Sequence, residues 1–74
     1  MSRKIRVLIA DEPTALRDEL LRVVKAQPDI EVVGETESGL EVPHLVGRLE
    51  PDVVLLDLAI PGGGLRAMEQ LTER

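Results

Sequence analysis

The stretch PDVVLLDLAIPGG, residues 51–63, decides the fold of this chain. Five of the seven residues in the segment 52–58 are Val or Leu, and a Pro-Gly run follows it. A short apolar run that is bounded by turn residues is typical of a strand buried on both faces, as in parallel sheets. We therefore predict a buried strand over residues 52–58, with Asp57 at its carboxyl end.

Two further strands are predicted upstream, over residues 5–10 (IRVLIA) and 30–34 (IEVVG). Apolar residues between these two strands recur at helical spacing and predict an amphipathic first helix. They are Leu16, Leu20, Val23 and Val24. Pro13 suits the first position of this helix, because the missing N–H of a proline costs nothing there.

Two weaker patterns predict the remaining helices. Residues 40–49 form the second, although Pro43 and Gly47 make it a poor helix. The third begins near Leu65 and runs to Arg74. Strands that alternate with amphipathic helices, in the order β-α-β-α-β-α, predict a parallel sheet in α/β layers.

Length, charge and composition exclude several classes of protein. Seventy-four residues allow one small domain. The absence of cysteine excludes disulfides and Cys-based zinc sites, and a net charge of −5 argues against direct contact with nucleic acid. No apolar run is long enough to span a membrane, so we expect a cytoplasmic protein.

Three carboxylates are predicted to meet at one edge of the sheet. Asp11 and Glu12 directly follow the first strand, and Asp57 ends the third. If these strands are neighbours, their carboxyl ends lie together, and three converging acids are best explained by a hard cation such as Mg²⁺. The alternative for Asp11 and Glu12 is that they only introduce the first helix. Asp57 interrupts an apolar run, which costs stability unless the carboxylate is paired or coordinated.

The segments IRVLIADE, PDIEVVGE and PDVVLLDLAIPGG together resemble the receiver domain of bacterial two-component response regulators. The similarity is greatest to the NarL/FixJ type and extends over essentially all 74 residues. It implies a flavodoxin-like (CheY-like) doubly wound parallel sheet, here β1-α1-β2-α2-β3-α3 with the strand order 2-1-3.

The resemblance also implies roles for individual residues. Asp57 matches the aspartate that accepts a phosphoryl group from a sensor histidine kinase. Asp11 and Glu12 match the acidic pair that binds Mg²⁺ together with Asp57, and the backbone carbonyl of Ala59 matches a further ligand. Such a chain is a phosphoryl acceptor rather than an enzyme that turns over.

Several positions depart from the family pattern. Glu12 stands where a second Asp is usual, and Pro43 stands where an apolar helix residue is expected. The run 61–64 (PGGG) is shorter than the family's P-G-x-D-G and lacks its acid. We interpret the three glycines as a flexible connector, since a phosphate-binding loop would need a lysine at the P-loop spacing.

The family comparison further predicts that residues 1–74 are an incomplete receiver domain, with strands 4 and 5 and helices 4 and 5 absent. The Ser or Thr of strand 4 and the Lys of strand 5 are then missing too. Strand 3 becomes an edge strand, so we expect either a homodimer that pairs this edge with its symmetry mate or a fragment of a longer protein.

Two other functions compete with phosphoryl acceptance. A truncated or degenerate receiver could act as a dimerisation or protein-interaction module without phosphorylation. A metal-dependent phosphohydrolase with Asp57 as nucleophile is disfavoured, because Leu58 and Ala59 do not supply the D-x-D spacing that such enzymes often need.

Overall fold

The computed structural model describes residues 3–72 and contains one three-stranded sheet. Its strands are β1 (Ile5–Ala10), β2 (Ile30–Thr36) and β3 (Val53–Leu56). They lie in the order β2-β1-β3, and both pairings are parallel. The predicted α/β fold class and the strand order 2-1-3 are therefore confirmed.

The central strand β1 is the most deeply buried element. Leu8, Ile9 and Ala10 have no exposed surface, and Val7 is also buried. A strand with a neighbour on each side and apolar residues on both faces is stable only when both faces are covered. The pairing of β1 with β2 shifts by one residue at Val33, where a bulge increases the local twist.

Three helices connect and follow the strands: α1 (Ala15–Lys25), α2 (Val42–Leu49) and α3 (Gly64–Thr72). The hydroxyl of Thr14 caps α1 by accepting the N–H of Arg17, so Pro13 precedes the cap and is not the first helical residue as predicted. A single 3₁₀ turn over Gly39–Glu41 leads into α2. Pro43 lies in the first turn of α2, where its lack of an N–H is tolerated.

Two strand boundaries differ from the prediction. β2 continues to Thr36, and β3 covers only Val53–Leu56, so Asp57 follows the strand instead of lying inside it. The N–H of Asp57 still donates to the carbonyl of Ala10 at 2.9 Å. The predicted last two residues of α3, Glu73 and Arg74, lie outside the described residues.

The hydrophobic core lies where α2 and α3 pack against the sheet. Its buried members come from four different segments of the chain: Ala10, Val42, Ile60 and Ala67. Four half-buried residues extend it: Val46, Val54, Leu56 and Leu71. Between residues 3 and 72, no helix is long and apolar enough to cross a membrane.

Of the four predicted apolar residues of α1, only Val24 is half-buried, and the other three are exposed. Leu16 is 79% exposed and Val23 is 52% exposed, whereas Arg17 is only 8% exposed. The helix contacts β2, and the guanidinium of Arg17 pairs there with Glu35 of that strand.

Candidate functional site

The candidate site lies at the carboxyl edge of the sheet, between β1 and β3. The last pair of the β1–β3 ladder is Ala10 opposite Leu56. Asp11 and Asp57 are therefore the residues that directly follow these two neighbouring strands. Both line an open cavity of about 300 Å³. Its other lining residues are apolar: Ile9, Leu20, Leu55 and Leu56. The predicted convergence is therefore seen for two of the three carboxylates.

Asp57 is held at the start of a turn. Its Oδ1 accepts the N–H of Ala59 at 2.9 Å, and its carbonyl accepts the N–H of Ile60 at 3.1 Å. Within the described part of the chain, Oδ2 has no hydrogen-bond partner. One carboxylate oxygen is thus fixed by the turn, and the other is free to contact a ligand in the cavity.

The backbone of Asp11 is anchored at both of its polar atoms. Its N–H donates to the carbonyl of Thr36 at 3.1 Å, and its carbonyl accepts from Nη1 of Arg17 at 3.3 Å. The N–H of Glu12 donates to Oδ1 of Asp11 at 2.7 Å. Glu12 is half-buried but does not line the cavity.

The oxygen ligands present are chemically suited to Mg²⁺. This cation is usually held by one or two carboxylates and keeps several waters. Asp11 and Asp57 meet that requirement without a third acid, and no group of three or more Asp, Glu, His or Cys residues is arranged around a common point in residues 3–72. Glu12 and the Ala59 carbonyl stay predicted ligands.

The glycine run after β3 has a defined backbone geometry, with Gly64 buried and Gly62 and Gly63 exposed. Gly62 and Gly63 have φ angles of 91° and 89°, which glycine adopts without strain. Gly39, at the start of the 3₁₀ turn, donates its N–H to the carbonyl of Pro61 at 2.8 Å. Gly64 is buried against the backbone of Asp57. The turn therefore supports the segment that carries the candidate phosphoacceptor.

Arg17 lies near the site, and the apolar pattern of the first helix did not single it out. Its Nη2 contacts Oε1 of Glu35 at 3.0 Å, and its Nη1 lies 4.0 Å from Oε2 of Glu37. A signal for its burial was present, since Arg17, Leu21 and Val24 lie four and three residues apart and share one helical face.

Acid is expected to weaken the fold through Glu35. The hydrogen bond from Arg17, followed by the effect of Lys25, lowers the pKa of Glu35 below its ordinary value of 4.5, although partial burial opposes the shift. Because the pKa is depressed in the folded state, the stabilisation is complete above pH 4.5 and is lost as the pH falls through the folded pKa. The pair is partly exposed, so we expect a loss below about 1 kcal/mol.

Urea unfolding of the wild type and of Glu35→Gln across this range measures the effect. The variant lacks the titrating carboxyl and should lose less stability in acid than the wild type does. Identical acid profiles for the two proteins would contradict the assignment to Glu35.

Comparison with known proteins identifies the family. The response regulator receiver domain family matches residues 7–74. The transcriptional regulatory protein LiaR of Bacillus subtilis is 44% identical over 68 residues, which are 90% of this chain and 32% of that protein. The nitrate/nitrite response regulator protein NarL of Escherichia coli K12 is 38% identical over 69 residues, 92% of this chain and 32% of that protein.

A solved structure agrees with this assignment. The response regulator domain of Thermotoga maritima CheB superposes with a TM-score of 0.87 at 35% identity, covering 96% of this chain and 54% of that one. The chain spans a fifth to a third of the length of the curated relatives that it matches. Its sequence and its 2-1-3 sheet agree, and the chain belongs to the response regulator receiver domain family of two-component systems.

Proposed function

We propose that this chain accepts a phosphoryl group on Asp57 from a sensor histidine kinase, with the assistance of Mg²⁺. The observation that carries the proposal is the shared cavity of Asp11 and Asp57 at the carboxyl edge of the sheet. Open α/β sheets bind their ligands at this edge, next to the point where the strand order reverses. Membership of the receiver family supports the same role.

In the proposed reaction, a carboxylate oxygen of Asp57 forms a bond to phosphorus as the bond from phosphorus to the kinase histidine breaks. The bond from the Ala59 N–H to Oδ1 orients the carboxylate and leaves Oδ2 as the oxygen open to the phosphorus. Asp11 and Asp57, with Glu12 and the Ala59 carbonyl as further ligands, would hold Mg²⁺. The cation neutralises charge on the phosphoryl oxygens when it is bound.

Labelling with a small phosphodonor tests the proposal. The protein is incubated with acetyl phosphate and Mg²⁺, and its intact mass is measured with and without a chelator. We expect one Mg²⁺-dependent phosphoryl group that hydroxylamine removes, as an acyl phosphate requires. If the folded protein takes up neither phosphoryl group nor beryllofluoride, phosphoryl acceptance is wrong and the interaction module becomes the better interpretation.

We also propose that residues 1–74 correspond to one part of a receiver domain. In support, the match covers nearly all of this chain but only 54% of the solved Thermotoga maritima domain. The matched region includes β1 and β3 together with the residues that directly follow them, which are the acidic pair Asp11 and Glu12 and the candidate phosphoacceptor Asp57. Phosphoryl acceptance is therefore proposed for the edge of the sheet that this chain supplies.

A second proposal concerns the outer edge of β3. Among residues 3–72, this strand pairs only with β1, and Val53 and Leu55 are 42% and 37% exposed. An open apolar cavity of about 340 Å³ also lies beside β3, lined by residues of β3, α3 and Leu58. We propose that two copies of this chain pair along β3 about a two-fold axis, which satisfies both edges at once.

Sedimentation equilibrium measures the proposed association directly. We expect twice the chain mass for the wild type and the monomer mass for Leu55→Glu, because the substitution adds a negative charge to each copy along the paired edge. Leu40→Glu changes an equally apolar, 75% exposed residue of the 3₁₀ turn and should stay dimeric. A folded wild type that sediments as a monomer at every concentration contradicts this second proposal.

A further inference from the structure

Arg17 is the only buried residue of α1 in the described part of the chain, and it is charged. Its side chain is 10% exposed, and its Nε is buried without a hydrogen-bond partner among residues 3–72. Burying a guanidinium costs free energy unless the charge is paired and hydrogen-bonded. An apolar residue at this helix position would avoid that cost, so the contacts made by the guanidinium need an explanation.

Those contacts join three segments around the candidate site. Nη2 is bound to Glu35 near the end of β2, and Nη1 donates to the carbonyl of Asp11 in the loop after β1. The backbone N–H of Arg17 is itself fixed by the Thr14 cap at the start of α1. The guanidinium therefore connects the loop that carries the acidic pair to both β2 and α1.

The anchoring is specific to the backbone of Asp11. The loop is held at the Asp11 N–H by Thr36 and at the Asp11 carbonyl by Arg17, and the same residue lines the cavity. A planar guanidinium can reach Glu35 and the Asp11 carbonyl together, because its donors lie in a rigid fork. A lysine ammonium at the same position could keep the charge but not both bonds.

The charge of Arg17 alone would act in the opposite direction. A cation close to Asp11 repels Mg²⁺, and Glu35, with Glu37 further away, offsets this repulsion. If Arg17 acted only through its charge, its removal would strengthen Mg²⁺ binding. If it acts by holding the loop, its removal weakens binding in spite of the lost repulsion. The two roles therefore predict opposite signs.

We propose that Arg17 is a positioning residue that fixes the Asp11–Glu12 loop for Mg²⁺, with Glu35 neutralising its charge. The inference rests on the proposed function, since it concerns the same metal site. By this inference, α1 and β2 contribute to metal binding by holding the loop that carries the ligands.

Calorimetric titration with Mg²⁺ tests the sign, since a chain without aromatic residues offers no intrinsic fluorescence. We expect Arg17→Lys and Arg17→Met each to weaken Mg²⁺ binding about tenfold, the lower range for partners that orient a metal ligand. Arg22→Met, which removes an exposed arginine of the same helix, should not weaken it. Unchanged or tighter binding by the folded Arg17 variants overturns the proposal.

A stability control separates positioning from general loosening of the helix. Leu21→Ala truncates a half-buried residue on the same face of α1 without touching Asp11, and it should lower stability while keeping the wild-type Mg²⁺ affinity. If Leu21→Ala weakens binding as much as Arg17→Lys does, Arg17 has only a structural role. Should Arg17→Met fail to fold, the charge-conserving Arg17→Lys decides the sign.

Amide hydrogen exchange without metal distinguishes failure of this inference from failure of the proposed function. Exchange at the Asp11 and Glu12 amides should be faster in Arg17→Lys than in the wild type and unchanged in Arg22→Met. A wild type that binds no Mg²⁺ refutes the metal site, while the exchange rates still decide whether Arg17 holds the loop. Equal exchange rates in the wild type and Arg17→Lys refute the role of Arg17 but leave the proposed metal site standing.

Discussion

Replacing Asp57 by asparagine is expected to reduce Mg²⁺-dependent phosphoryl labelling to background. The substitution removes the nucleophilic oxygen and one negative charge from the cavity but keeps the Oδ1 acceptor for the Ala59 N–H. The turn after β3 should therefore keep its structure, and urea unfolding should show little change. The measurement is the intact mass after incubation with acetyl phosphate, with folding checked by circular dichroism.

Asp52→Asn is the matched control for this experiment. Asp52 lies immediately before β3 and Asp57 immediately after it, so the two aspartates are at opposite ends of the same strand. Asp52 accepts the N–H of Arg6 at 2.8 Å and pairs with Arg3, both away from the cavity. The Asp52 variant should label like the wild type. Persistent labelling of Asp57→Asn, or its loss in Asp52→Asn, would contradict the assignment of the phosphoacceptor.

Asp11→Asn is expected to weaken phosphoryl labelling without abolishing it. This change leaves the nucleophile in place and removes one of the two carboxylates that line the cavity. Labelling should persist but require a higher Mg²⁺ concentration, because affinity for the cation depends on the charge of its ligands. A complete loss at saturating Mg²⁺ would make Asp11 the acceptor of the phosphoryl group or a partner in its transfer.

The strands could be predicted from the sequence because their signal is local. A run such as residues 5–10 is apolar on both faces, and only a central strand of a parallel sheet buries both faces. The order 2-1-3 followed from the family resemblance, and the convergence of Asp11 and Asp57 followed from that order. The carboxyl end of β3 was predicted two residues too late, because Leu58 is apolar like the strand although the backbone already turns at Asp57.

The buried face of α1 could not be predicted from hydrophobicity. The row that contains Leu16 and Val23 is the more apolar one, yet the helix contacts β2 through the face of Arg17. On that face Arg17 pairs with Glu35, a residue 18 positions away in the chain. Helical periodicity shows which residues share a face of a helix. It does not show which residues of another strand that face will contact.

The contacts of the glycine run could not be predicted for a similar reason. Composition suggested a flexible connector, since several consecutive glycines are typical of linkers. In the structure, Gly62 and Gly63 have positive φ angles, and Gly64 lies against the backbone of Asp57 and Leu58. The contact between the β3–α3 turn and Gly39 depends on how two loops meet at the carboxyl edge of the sheet. The residues of these loops are far apart in the sequence, so a short sequence pattern does not reveal the contact.

Gly64→Ala is expected to destabilise the fold and displace the segment that carries Asp57. A Cβ at this position would lie 2.5 Å from the Asp57 carbonyl oxygen and 2.7 Å from Cα of Leu58. Both are backbone atoms, so relief requires the turn itself to open. Forcing an extra carbon into such a contact costs about 1–3 kcal/mol, which the intrinsic preference of alanine for helices, about 1 kcal/mol, offsets only in part.

Gly47→Ala is the matched control and should have the opposite sign. Gly47 is exposed in the interior of α2, where alanine is more favourable by about 1 kcal/mol. Urea unfolding compares the two variants, and acetyl phosphate labelling of the folded fraction reports on the site. We expect Gly47→Ala to be more stable and fully labelled, and Gly64→Ala to be less stable and more slowly labelled. Equal stabilisation by both substitutions would mean that the turn yields easily and does not fix the position of Asp57. The close approach of Gly64 to the Asp57 carbonyl would then be incidental to the site, whereas opposite signs would make this glycine part of the support for the phosphoacceptor.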